Sequence, residues 1–288
     1  SFNELAFRTA ERVKNELGWD MIEFEAANNT QIEQGMRKVA DRGANLVIAM
    51  GFAQADAVAA VAPQYPDVNF VAVDVCWVDD PAGNIYQACY KEHEGSFLVG
   101  MIAAMASKSG KIGFVGGMDI PLIRKFQGGY EQGALYVNPN IEIHANMTGT
   151  TPEAWNNPTK GAELTKAQID KGADVVYQAA GGTGIGVLQA AADAGIMGIG
   201  VDTNQNYMHP GNMLTSMLKR LDLTIFEQAE KTAAGTFEPG IHILGLAEGA
   251  VGYATEDGMV TDEMAAAVEA AAAEIVSGAM SVADWSQE

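Results

Sequence analysis

The chain has 288 residues, 48% of them hydrophobic and 8% aromatic, with a formal net charge of -20 and a pI near 4.4. This length suits two domains with substantial cores, and so acidic a surface argues against nucleic acid, whose phosphates it would repel. No run of about eighteen apolar residues occurs, so the sequence offers no membrane-spanning helix.

Leu5, Val13 and Leu17 recur at helical spacing, Ser1 or Asn3 can cap that helix, and Gly18 ends it. Residues 21–26 alternate as a strand does, and 28–30 form a turn capping a helix over 31–42. A buried strand over 46–50, a helix over 53–61 behind Gly51 and Phe52, and a strand over 70–75 follow. Such helix-then-strand repeats predict a parallel sheet covered on both faces. A doubly wound domain begins with a strand, whereas Phe2 stands at the first strand-to-helix loop, so about ten or more further residues are expected upstream.

Next come a strand over 85–90, a loop at 91–95, an apolar helix over 96–105 and a polar hinge candidate at 108–111. The pattern then restarts with a strand over 112–115, a turn at Gly116 and Gly117, a helix over 123–136, a strand over 141–147, a polar loop and a helix over 161–171. A β-α-β unit spans 175–206, its first strand running into Gly181-Gly182-Thr183-Gly184 and its second ending at Asp202. A strand over 213–217, a helix over 222–234, short strands over 241–246 and 250–253 and an alanine-rich helix over 261–277 complete the chain. Met264, Val268, Ala272 and Ile275 give that last helix an apolar face, expected to pack on the first lobe. The expectation is two α/β lobes around a cleft, one of residues 1–108 with about 249–288, the other of 109–248.

Enzyme motifs are missing. His93, His144, His209 and His242 show no zinc-binding spacing, and there is no G-x-S-x-G elbow and no phosphate loop. Glu92, His93 and Glu94 are adjacent and do not converge on one ion, so no metal is expected. Cys76 and Cys89 can pair in an oxidising compartment or stand as two core thiols in the cytosol.

Binding groups are better represented. Phe2, Phe52 and Phe126 can stack on a planar ring, Asn3 can hydrogen-bond, and Glu92, Asp202 and Lys219 are charges at predicted strand ends. Asp202 and Lys219 suit the two adjacent hydroxyls of a sugar, one accepting from both and the other donating to both. The glycines at 181–186 overlap a dinucleotide fingerprint imperfectly; they serve either a ligand or a tight turn.

SFNE at Ser1, EGSFLVG at Glu94, KIGFVGGMD at Lys111, QAAGGTGIGV at Gln178, GVDTNQ at Gly200 and TSMLKR at Thr215 together resemble the basic membrane protein (Bmp) family, within it the purine nucleoside receptor A group. The resemblance covers essentially the whole chain. It implies a type I periplasmic-binding-protein fold with two Rossmann-like lobes, and a non-catalytic substrate-binding protein of an ABC importer without a cofactor. It further implies a monomer closing on a nucleoside and delivering it to a membrane permease, in the periplasm or as an anchored lipoprotein. By resemblance Phe2 stacks on the base, Asn3 bonds near it, and Glu92 stands where the family has an aspartate reading the base edge. Gly182, Asp202 and Lys219 hold the ribose, and a second aromatic wall faces Phe2. An NAD-dependent oxidoreductase using Gly181 to Gly186 and Asp202, and a ligand-sensing domain of the same fold, stay open as alternatives.

Overall fold

The computed structural model describes residues 2–26 and 28–287. Helix α1 (Phe2–Leu17) ends at Gly18, whose φ of 72° suits glycine; Ser1, the other expected cap, lies outside the described residues. Helix α2 (Asn29–Asp41) starts where the Asn28 side chain accepts from the Gln31 amide at 3.0 Å. Strand β1 (Leu46–Met50), a 3-10 turn at Phe52–Gln54, α3 (Ala55–Val61), β2 (Asn69–Val73) and β3 (Ile85–Tyr90) follow the expected pattern. Helix α4 (Glu92–Ala106) takes in Glu92, His93 and Glu94 as its first turn, where a loop was expected. Two carboxylates are favoured there by the positive end of the helix dipole.

The chain continues through β4 (Lys111–Met118), α5 (Pro121–Val137), β5 (Glu142–Gly149), α6 (Pro158–Asp170), β6 (Val175–Ala179), α7 (Thr183–Asp193), β7 (Met197–Asp202) and β8 (Met213–Lys219). It ends with α8 (Leu221–Ala234), β9 (Gly240–Leu244), β10 (Val251–Tyr253) and α9 (Asp262–Ser277). Gly116 and Gly117, expected as a turn, are interior to β4, with Gly116 paired to Met147 of β5 and Ala179 of β6.

Two compact units result: Asn3–Tyr90 with Arg220–Leu244, and Ser1–Phe2 with Lys91–Lys219 and Gly245–Glu288. The smaller unit holds a parallel sheet in the order β1-β2-β3-β9. Its core joins Val58 and Val61 of α3 to Phe70, Ala72 and Ile85 of the sheet. Residues 21–26, read as a strand, join no ladder. They line a hollow of about 790 Å³ shared with Ala6 and Ala10 of α1, Met36 and Val39 of α2, and the edge strand β1. A strand exists only beside a partner that takes its N–H and C=O groups, and these residues face the hollow instead.

Cys76, just past β2, is disulfide-bonded to Cys89 of β3, with Cα atoms 5.8 Å apart. The bridge spans a sequence separation of 13 residues, and closing a loop of that size stabilises by about 3 kcal/mol. Reduction, or Cys76→Ser with Cys89→Ser, is expected to lower the unfolding free energy by about that amount in urea titrations; an unchanged midpoint would contradict it.

The larger unit holds a sheet in the order β10-β8-β7-β6-β4-β5, parallel except for β10 against β8. Phe114 of β4, Tyr130 of α5 and Tyr177 of β6 form an aromatic cluster with centroids 5.1–6.2 Å apart. Helices α4 and α5 approach closely: Gly100 lies on the Tyr130 carbonyl, and Gly129 and Gly133 lie on the carbonyls of His93 and Phe97, where a Cβ would collide.

The units do not part at 108–111. There the Asp174 carboxylate accepts from Ser107 Oγ at 2.6 Å and from the amides of Lys108 and Ser109 at 2.7 and 2.8 Å, fixing the segment inside the larger unit. The larger unit holds Lys91–Lys219 and Gly245–Glu288, whereas the sequence expectation grouped 91–108 and about 249–288 with the first run. Helix α4 is apolar all round and is covered by α5, by α9 and by the β8–β10 pair, so these segments cannot be separated from the larger unit.

Candidate functional site

In the larger unit β4, β6, β7 and β8 run parallel, so their carboxyl ends lie along one edge of the sheet. That edge is where open α/β sheets bind ligands. Lys219 ends β8, Asp202 ends β7, and Gly181-Gly182 follow β6 and lead into α7. Lys219 Nζ donates to Glu92 Oε1 at 2.9 Å, and both side chains are removed from solvent, at 1% and 0% exposure. Lys125 Nζ of α5 stands 3.5 Å from the other oxygen, Glu92 Oε2, which accepts no hydrogen bond among the described residues. The rings of Phe2 and Phe126 lie 5.5 and 5.9 Å from the Lys219 ammonium, within cation–π range.

Asp202 adopts a left-handed φ of 67° at the end of its strand, which an aspartate tolerates better than most residues. Burial raises its pKa above the ordinary carboxylate value, with the Lys219 ammonium opposing the rise and Glu92 adding to it. A buried amide network holds this edge in register. Gln205 Oε1 accepts from the Val201 amide and from Gln178 Nε2, each at 2.9 Å, and the Gln205 amide donates to Ser216 Oγ at 3.0 Å. Ser216 Oγ in turn donates to Asn206 Oδ1 at 2.9 Å. The GVDTNQN stretch is therefore mostly scaffold, with Asp202 at its strand end taking no part in this network.

Phe2, Glu92, Asp202 and Lys219 are brought together, and Gly182 stands at the neighbouring strand end. Asn3 and Phe52 belong to the smaller unit, Asn3 exposed in α1 and Phe52 half-buried in the 3-10 turn behind β1. Gly184 and Gly186 are packing residues: a Cβ on the first would strike the Gln178 amide, and on the second the Pro158 carbonyl. Both lie within α7, so they serve helix packing and neither the ligand nor the tight turn that the sequence offered as alternatives.

Trp155 escaped the sequence reading, because it sits in what reads as a featureless polar loop. It ends a 3-10 turn at Pro152–Trp155, and its indole occupies the space a side chain at Gly117 would need. Thr183 ties this turn to the start of α7, its hydroxyl donating to the Ala154 carbonyl and accepting from the Asn157 amide, both at 2.7 Å. Half-buried, the indole shares the strand-end edge with Gly181 and Gly182. A tryptophan just ahead of Asn157-Pro158, a helix start, was the available signal. Among the described residues no group of three or more His, Cys, Asp or Glu side chains is placed to hold a metal.

The family described as ABC transporter substrate-binding protein PnrA-like (Bmp) matches residues 1–286. Basic membrane protein A2 of Borrelia garinii subsp. bavariensis is 32% identical over 282 residues, 96% of this chain and 82% of that protein. The ABC transporter nucleoside-binding protein BmpA of Lactococcus lactis subsp. cremoris is 31% identical over 278 residues, 90% of this chain and 77% of that protein. Among solved structures, an ABC transporter solute-binding protein from Aeropyrum pernix K1 superposes with a TM-score of 0.87 at 26% identity, over 99% of this chain and 89% of that one.

Proposed function

This chain belongs to the Bmp family of ABC transporter substrate-binding proteins, and from that premise we propose that its ligand is a nucleoside, with a purine as the base. Proteins of this class bind a solute and present it to a membrane permease; they are not enzymes. The observation that carries the reading is the buried Glu92–Lys219 pair, with Asp202 on the adjoining strand end and Phe2 beside it. Glu92 Oε2, a buried acceptor with no hydrogen bond among the described residues, suits an N–H on a base edge, because a buried polar atom left unmatched is costly. Asp202 suits the two ribose hydroxyls, with Lys219 and the Gly182 turn beside them. Phe2 and Trp155 offer faces to the base, Trp155 as the second aromatic wall. Asn3 and Phe52 are assigned to the same ligand from the other unit.

In this reading the protein is a monomer outside the cytoplasm, in the periplasm or held at the membrane by a lipid anchor. The Cys76–Cys89 disulfide supports an oxidising location, and the Lactococcus relative is named for nucleoside binding. Contact with ligand shifts an open–closed equilibrium of the two lobes toward the closed form, which the permease recognises.

Titration calorimetry with adenosine and AMP tests the reading. A phosphate dianion meets a chain of net charge -20 and the carboxylates Glu92 and Asp202, so AMP is expected to bind at least about 100-fold more weakly. Equal affinities would overturn the nucleoside assignment.

A further inference from the structure

The segment after α9 returns to α5. The Ala283 amide donates to Gln132 Oε1 at 2.8 Å, and Gln132 Nε2 donates to the Ala283 carbonyl at 2.9 Å, so one side-chain amide grips the backbone as a neighbouring strand would. Trp285, in the 3-10 turn Trp285–Gln287, lies on Gly128, where a Cβ would strike the indole. Between these anchors stands Asp284. Its carboxylate accepts from the Ser286 amide at 2.8 Å and lies 3.8 Å from Lys125 Nζ.

Lys125 thus stands between two carboxylates, Asp284 on the tail and Glu92 at the site. Its distance to Glu92 Oε2 is 3.5 Å, longer than the roughly 2.8 Å of a charge-assisted bond, and that oxygen has no hydrogen bond among the described residues. Both carboxylates draw on the Lys125 ammonium, so the charge of Asp284 opposes the pull of Glu92. We propose that Asp284 is a positioning residue for ligand binding: it holds Lys125 back from Glu92 Oε2 and keeps that acceptor open for a donor on the ligand. This rests on the reading that Glu92 faces the ligand. Gln132 and Trp285 serve it by fixing where Asp284 stands.

The test is a double-mutant cycle read by calorimetric titration of guanosine and adenosine. Asp284→Asn is expected to weaken binding about three- to five-fold, the scale of a partly exposed ion pair, with the melting temperature little changed. In a Lys125→Met background the same substitution is expected to have no effect, because there is no ammonium left to restrain. Gln132→Ala, which frees the Ala283 backbone and leaves the Asp284 charge in place, is expected to weaken binding in the same direction. A purely structural role for the tail would give an Asp284→Asn loss that persists in the Lys125→Met background, and that result, or wild-type affinity in Asp284→Asn, would overturn the proposal. Failure of the wild type to bind either nucleoside would instead overturn the nucleoside reading, and this inference with it.

Discussion

Lys219→Met is expected to destabilise the fold by about 3 kcal/mol. The substitution removes the ammonium that Glu92 contacts at 2.9 Å and leaves that carboxylate at 0% exposure without its main counter-charge. Breaking a buried pair from one side costs about 3–5 kcal/mol, and the lower end applies because Lys125 remains 3.5 Å from the other oxygen. The double variant Glu92→Gln with Lys219→Met is expected to recover most of the loss, since burying two neutral groups avoids the unpaired charge. Urea unfolding of the two single variants and the double measures the coupling; equal destabilisation in the single Lys219 variant and the double would contradict the pair's role. Nucleoside binding should be lost in the single and the double alike, so the stability recovery separates scaffold from ligand contact.

Asp202→Ala is expected to act the other way round, on binding and not on stability. Two hydrogen bonds from ribose hydroxyls to a carboxylate are worth about 3 kcal/mol or more together, so affinity for ribonucleosides should fall at least about 100-fold. Free bases, lacking the sugar, should change little. Stability should change little, because burial raises the folded-state pKa of Asp202, so the ionised group is held at a cost whose relief offsets the strain of alanine at a φ of 67°. Acidification mimics the substitution. A raised pKa means that proton uptake begins at a higher pH than for an ordinary aspartate near 3.9, and the acceptor is lost as pH falls through that raised value. Riboside affinity should therefore begin to weaken at a higher pH in the wild type than an ordinary aspartate would set, and this portion of the pH dependence should be absent from Asp202→Ala. Equal losses for ribosides and bases would place Asp202 away from the sugar.

Much of the strand order of chemistry was legible because each group sits at a predictable structural punctuation. Val175–Ala179 ends in glycines and Met197–Asp202 ends in a carboxylate, and in a parallel sheet such ends gather on one edge. The pairing of Glu92 with Lys219 was not legible. The two are 127 residues apart, and the β8–α4 packing that joins them follows from α4 being apolar on every side, which says that it is buried but not against what. The same ambiguity hid the partners of the segment 91–108 and of the tail: α4 packs on α5, and β10 of the tail pairs antiparallel with β8. Glu92 itself was read as loop because the acidic first turn of α4 lacks the apolar spacing that marks the rest of the helix. Residues 21–26 carry a strand's alternation, yet alternation supplies no partner, and the ladder does not form. Trp155 was missed for a different reason: a short 3-10 turn has no periodicity to detect, and only the side-chain space at Gly117 reveals where the indole lies.

The most direct measurement is mass spectrometry of small molecules released on denaturing the purified protein, followed by calorimetric titration of purine and pyrimidine nucleosides, their free bases and ribose. A ribonucleoside is expected to be recovered or to bind tightly one to one, purines ahead of pyrimidines, with free bases and ribose far weaker. Retention of a sugar, a free base or a nicotinamide cofactor, with no nucleoside bound, would contradict the assignment of Glu92, Asp202 and Lys219 to a base and its ribose.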